Sequence, residues 1–208
     1  MATPTTITTT TKPMRADARR NRERILAAAR ALFASSRPEV QIDDVARRAG
    51  VGVGTVYRHF PDKEALMGAL VRERFKLFNE RMRAALEEAD ADPFESLAGT
   101  MRDNAAAVAG DAATRFAMMS GGERVFEHAG EERDEFLRLA RRLVLRARRA
   151  GELRPDFRAE DIPMVMCGVC ATIDKTGSGW DWPRHLELVL DGMRADGQGK
   201  PAGRRSRR

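Results

Sequence analysis

Few residues in this chain of 208 have the type and spacing to do chemistry. Cys167 and Cys170 form a C-x-x-C, and an i, i+3 spacing on a helix puts both sulfurs on one face. A redox switch or a metal site would need that arrangement. There is no second C-x-x-C to complete four ligands, and His128 and His185 stand apart, so no metal is expected. The plainer reading is two small apolar residues packing beside Gly168 and Ala171 where helices come close. No Ser/His/Asp set sits at a recognisable turn, and neither a Walker loop nor a G-x-G-x-x-G occurs. Neither an enzyme nor a cofactor is expected.

A second spacing is more informative. If Ile42 opens a unit, Ala46 is its fifth residue, Gly50 its ninth and Val56 its fifteenth. A small residue at Ala46 lets two helices cross closely, Gly50 permits a sharp turn, and Val51 and Val56 fill the wedge between them. This is helix-turn-helix spacing, in which the second helix enters a DNA major groove. Tight helical hairpins that bind no DNA share it.

The elements that must position these residues read as helices throughout. Aromatic residues make up 6% of the chain, and Ala, Leu, Arg and Glu abound, which argues against a β-sandwich. Apolar periodicity predicts helices over 19–35, 42–49, 53–59, 63–88, 94–109, 112–119, 131–150, 160–175 and 183–194. Gly121, Gly122 and Gly130 leave the stretch between the sixth and seventh unassigned. The long helix from Lys63 carries a stripe of Met67, Val71, Phe75, Phe78, Met82 and Leu86. Residues 1–16 read as a disordered arm and 196–208 as a disordered basic tail.

Charge is unevenly placed. The chain carries +6 overall, residues through Phe60 carry +6 and the tail from Lys200 +5, which leaves −5 for the body. A basic head on an acidic body suits a polyanion partner, although a solvated, charge-mixed surface gives the same count. The first residues lack the apolar run of a secretory signal, and two cysteines make no disulfide framework. The longest uncharged apolar run, Ile162–Ile173, is too short to span a bilayer. A cytoplasmic protein with no membrane partner is expected.

The segments Arg22–Phe33, Asp43–Val51, Gly54–Phe60 and Lys63–Leu66 stand at the spacing of one known group. On them the chain resembles the TetR family of bacterial transcription regulators, over about residues 17–78. The resemblance implies an all-α fold. An N-terminal three-helix helix-turn-helix head (17–78, motif 41–60) would be joined by a long helix to a C-terminal helical ligand-binding and dimerisation body (79–195). It places Thr55, Tyr57 and His59 in a recognition helix with Gly54 and Arg58, and Lys63 against phosphate. Their chemistry agrees: a hydroxyl and methyl on Thr55, donors on Tyr57 and His59, and a lysine at a helix N-terminus. Gln41, Arg47 and Arg48 would flank the groove. The plainer alternatives are a packed core histidine at His59, a surface aromatic at Tyr57, and solvated charge at Arg47 and Arg48. The family often has Ser or Thr where this chain has Gln41 and Gly52; Gly52 offers no side-chain oxygen, and Gln41 is a weaker cap that can reach phosphate.

For the body, the resemblance implies a homodimer through the last two helices and a pocket for an unknown small-molecule effector. Candidate lining residues are Met101, Phe116, Met119, Met166, Cys170 and Asp174, with Arg115 a second candidate polar group. The resulting expectation is a repressor released from a palindromic double-stranded DNA operator by its effector. The alternatives are an activator, a ligand-independent regulator, and an enzyme or interaction module that keeps the head.

Overall fold

The computed structural model describes residues 12–35, 39–88, 92–175 and 181–195, with the side chains of 12–15 and of Asp174 outside the description. Among the described residues there are ten helices and no strand. They are α1 (Lys12–Ser35), α2 (Ile42–Ala49), α3 (Val53–His59), α4 (Lys63–Glu88) and α5 (Pro93–Ala109). The body continues with α6 (Ala112–Ser120), α7 (Gly122–Glu127), α8 (Gly130–Arg149), α9 (Asp161–Asp174) and α10 (Trp182–Met193). The all-α expectation holds, with most boundaries within a residue or two. One correction falls at the start: α1 begins at Lys12, so residues 12–16 belong to a helix and not to the arm. Residues 1–11 and the 196–208 tail lie outside the described residues. The unassigned glycine-bearing stretch contains the short α7.

The head is α1 to α3 around Ile25, Ala29, Phe33, Val45, Ala46 and Val56, all buried. In α2, Asp43 and Asp44 sit in the first turn and Arg47 and Arg48 in the last, each favourable to the helix dipole. Gly50 ends α2 at φ 62°, ψ 41°, where a side chain would be strained. Its N–H returns to Ala46 and Arg47, and the Val51 N–H to the Ala46 carbonyl at 3.1 Å. Those bonds set the angle at which α3 leaves.

Helix α4 runs about 39 Å at 1.5 Å per residue. Its predicted stripe is buried from Met67 to Leu86. Its first turns differ, since every residue from Ala65 to Val71 is buried. The head covers one side there and α7 the other. Gly68 makes that approach possible, because a Cβ there would stand 2.4 Å from the His128 Cβ. The C-terminal half of α4 packs on α5 and α8.

Helix α8 buries Phe136, Leu139, Ala140, Leu143 and Ala147. Gly151 turns the chain at φ 75°, and the Arg154 N–H bonds the Met193 carbonyl at 2.9 Å, tying the loop to the end of α10. Helices α9 and α10 pack together, with Thr172 Oγ1 2.7 Å from His185 Nδ1. A charged clasp joins the head to the body. Asp111 caps α6 by accepting from the Thr114 N–H at 3.0 Å, and also accepts from Arg30 of α1 at 2.9 Å and Arg74 of α4 at 2.6 Å. No described helix is long and apolar enough to cross a membrane.

Candidate nucleic-acid interface and effector cavity

Helix α3 lies on α2 through Val56, which is fully buried, and turns its other side outward. Tyr57 is 49% exposed, Val53 is 38% exposed, and Gly54 and Arg58 are exposed. Thr55 and His59 are half-buried. His59 is therefore not a core histidine; its ring lies 6.2 Å from that of Phe60 at the end of the helix. Gly52 caps α3 through its carbonyl alone, which takes the Thr55 N–H at 2.8 Å. With no side chain at Gly52 and an open space where a Cβ of Gly54 would stand, the start of α3 is bare backbone. That suits close approach to a groove floor.

The flanking cations are placed as a frame. Arg47 and Arg48 are exposed at the end of α2, with Arg47 paired to Asp44 at 3.1 Å. Gln41 is exposed, and its N–H donates to Asp44 Oδ2 at 3.1 Å. Asp62 caps α4 by accepting from the Ala65 N–H at 2.7 Å. Lys63 is half-buried, with Nζ 5.8 Å from the centre of the Phe33 ring. The α4 N-terminus thus lies beside α3 with a lysine on its first turn, an arrangement that attracts an anion. The structure brings Thr55, Tyr57, Arg58 and His59 onto one short helix and sets Gln41, Arg47, Arg48 and Lys63 around it.

The body holds a cavity of about 320 Å³ between α4, α5, α6, α7, α8 and α9. Phe75, Phe78 and Phe136 form an aromatic cluster in its wall, with ring centres 5.5 to 6.2 Å apart. Asn104 is a buried polar lining residue whose Oδ1 accepts from Arg81 at 3.3 Å. Arg133 is exposed at the rim, its guanidinium 5.7 Å from the Phe126 ring centre. Of the expected lining residues, Met101, Met119, Met166 and Cys170 line this cavity.

Three other expectations are corrected or fall elsewhere. Phe116 does not line the cavity; it packs on Phe33 of the head, ring centres 5.9 Å apart, because its side of α6 faces α1. Arg115 is buried but serves α5, donating to the carbonyls of Val108 at 2.8 Å and Ala109 at 3.0 Å. It satisfies a helix end and not a ligand. Asp174 closes α9, and its side chain lies outside those described. The close-packing account of the cysteines also changes. Cys167, Gly168 and Ala171 are exposed, and a Cβ on Gly168 would meet only His185 Cε1, at 4.0 Å.

Sequence reasoning missed Phe75, Phe78, Phe136 and Asn104 as cavity wall, since a buried stripe does not say whether it faces side chains or space. It also missed Asp111. The signal was present, as Asp immediately before a helix start is a preferred N-cap. The carboxylate's partners from α1 and α4 were not legible. Burial alone would raise the Asp111 pKa, and this is the largest single influence. The bonds from the Thr114 N–H and hydroxyl and from Arg74, with the charge of Arg30, outweigh it and hold the carboxyl below its ordinary range.

A three-helix head whose third helix faces outward, carried on a helical body with an apolar cavity, defines a helix-turn-helix DNA-binding regulator. Residues 25–70 match the family model described as bacterial regulatory proteins, tetR family. Residues 92–195 match that of the SbtR-like transcriptional regulator C-terminal domain. The chain belongs to the TetR family of DNA-binding transcriptional regulators.

The fatty acid metabolism regulator protein of Bacillus subtilis is 25% identical over 144 residues, which cover 67% of this chain and 72% of that protein. The crystal structure of a TetR transcription regulatory protein from Mycobacterium vanbaalenii shares 35% identity and a TM-score of 0.55, covering 88% of this chain and 99% of that one. The regulator FadR from Bacillus subtilis, solved with stearoyl-CoA, has a TM-score of 0.68 at 22% identity and covers 85% and 99% of the two chains. At that identity the likeness speaks to the fold.

Proposed function

We propose that the chain is a homodimeric repressor that leaves a palindromic operator when a small apolar molecule fills the cavity. Thr55, Tyr57, Arg58 and His59 read the major groove, with Gly54 admitting close approach. Gln41, Arg47, Arg48 and Lys63 hold phosphates on either side. The dimer forms through α9 and α10, and the outer face of α10 carries Leu188 at 59% exposure. Two heads on one face of the duplex require half-sites related by a two-fold axis.

The observation that carries the release mechanism is the double duty of α6 and α7. Met118 and Met119 of α6 line the cavity, while Phe116 and Thr114 of the same helix touch Phe33 and Arg30 of the head. Phe126 of α7 lines the cavity, while Arg124 pairs with Asp62 at the start of α4 at 3.0 Å. An occupant that moves either helix moves the head with it. The occupant must bind the released state more tightly, or nothing shifts.

Selection of genomic fragments by the purified protein, followed by anisotropy on the recovered site, tests this reading. Wild type should bind a palindrome tightly, and Tyr57→Ala should bind it about 5- to 160-fold more weakly, the range of about 1–3 kcal/mol for one contact. Recovery of no enriched site, or equal binding by Tyr57→Ala, would overturn the recognition assignment.

A further inference from the structure

The cavity holds a concentration of sulfur that an apolar pocket does not require. Its wall includes the thioethers of Met101, Met118, Met119, Met164 and Met166, together with Cys167 and Cys170. Cys167 is exposed at the rim and Cys170 is buried one turn along the same wall. Neither is in a disulfide. No Asp, Glu or His is among the lining residues, so the site offers nothing to a hard cation. What it offers is two thiols on one helical face and an aromatic chamber beside them.

We propose that Cys167 and Cys170 together capture a trivalent organoarsenical, with its aryl or alkyl arm held among Phe75, Phe78 and Phe136. The inference rests on the cavity being the effector site and adds the chemical class of the ligand. An i, i+3 pair lining one space suits a single soft centre with two sulfur-seeking valences. A carbon electrophile would need only one thiol. The third substituent on arsenic must be apolar to enter the Met- and Phe-lined space, where polarisable thioethers adapt to its shape. In the reaction with an arsine oxide, each thiol sulfur forms a bond to arsenic. The arsenic–oxygen bonds break, and the oxygen leaves as water with the two thiol protons. Arsenic stays trivalent, so no oxidant or reductant is needed.

The second sulfur–arsenic bond is intramolecular, and its effective concentration is in the millimolar range or above. Capture by the pair should therefore be about 100-fold tighter than by either thiol alone. The test titrates the full chain with phenylarsine oxide in excess 2-mercaptoethanol and reads intact mass. The expected result is one phenylarsenic per chain with two hydrogens lost, stable to the monothiol and removed by 2,3-dimercaptopropanol. Cys167→Ala and Cys170→Ala should each weaken capture about 100-fold, with circular dichroism confirming that both variants are folded. Capture as tight by either single-thiol variant, or no capture by wild type, overturns the proposal.

Two further readouts separate it from the effector assignment. If the arsenical is captured while the operator stays bound, the thiol-pair site stands and the effector role falls. If it is not captured, yet 1-anilinonaphthalene-8-sulfonate binds wild type and is excluded by Leu137→Trp, the arsenical proposal falls and the cavity remains a ligand site.

Discussion

Replacing Asp111 by asparagine isolates the charge at the junction of head and body. Asparagine is as good an N-cap as aspartate, so the Thr114 N–H keeps its acceptor. What is lost is the anion between two guanidinium groups. Arg30 retains Glu73 at 2.7 Å and is about one-third exposed. Arg74 is only 11% exposed, its paired carboxylate is Asp111, and its Nε is buried without a partner. The substitution therefore leaves a largely buried cation facing an amide donor. Breaking a buried pair costs about 3–5 kcal/mol, and the partial exposure of Arg30 lowers the expectation here to about 2–4 kcal/mol.

For a chain of this length each kcal/mol moves the melting temperature by about 2–4 °C, so a fall of about 4–16 °C is expected. Urea and thermal unfolding at neutral pH measure it. Asp111→Ala, which also removes the cap, should lose about 1 kcal/mol more. The pH dependence supplies a second check. The folded carboxyl lies below its ordinary value of 3.8, so the unfolded chain takes up the proton first. The stabilisation is complete above that value and is lost as pH falls through the lower folded one. The gap between wild type and Asp111→Asn should be level down to the ordinary aspartate range and close beneath it. An asparagine variant within about 0.5 kcal/mol of wild type, as an inert surface change would be, refutes the argument.

Three other substitutions test the geometry. Gly50→Ala places a Cβ at φ 62° and 2.8 Å from Arg24 Nη2, and should cost about 1 kcal/mol or more of stability by urea unfolding. Gly68→Ala drives a Cβ to 2.4 Å from the His128 Cβ and 2.9 Å from the Val125 carbonyl oxygen. It should cost about 1–3 kcal/mol in the same assay and change operator affinity by anisotropy, since α7 must back away from α4. Arg115→Met keeps the buried volume but strips the donors from the Val108 and Ala109 carbonyls, and should lower stability by about 1.5–3 kcal/mol in thermal unfolding.

How much was legible follows the range of the interactions. Helices announce themselves locally, and so did the turn at Gly50, because φ 62° is a demand on one residue. The outward face of α3 followed from Val56 alone, since one buried anchor on a seven-residue helix fixes what remains outside. The arm was misjudged at residues 12–16, where Pro13 stands within the first turn of α1, a position that spares a helix its missing N–H. The cavity was only half legible. Met101 and Met166 line it and Phe116 does not, yet all three are apolar residues on body helices. The difference lies in which neighbour each helix face meets, and that depends on packing between distant segments.

Helices α6 and α7 are short beside α4. A long helix such as α4 passes strain along its whole length and resists reorientation. Helix α6 has nine residues and is capped by Asp111, and α7 has six and is bounded by Gly121 and His128. Gly122, at φ 59°, gives the joint between them a conformation that longer side chains avoid. Each short helix meets the cavity with methionine or phenylalanine; α6 meets the head through Phe116 on Phe33 and through Asp111 and Thr114 on Arg30, and α7 meets the start of α4 through Arg124 on Asp62. Apolar contacts tolerate sliding, whereas ion pairs and hydrogen bonds hold register. Under the proposed release mechanism, a displacement that begins among pliant side chains would reach the head through these directional contacts as well as through Phe116 on Phe33. In that arrangement the effect of a ligand on DNA binding should depend more on Asp111, Thr114 and Arg124 than on any residue the ligand itself touches.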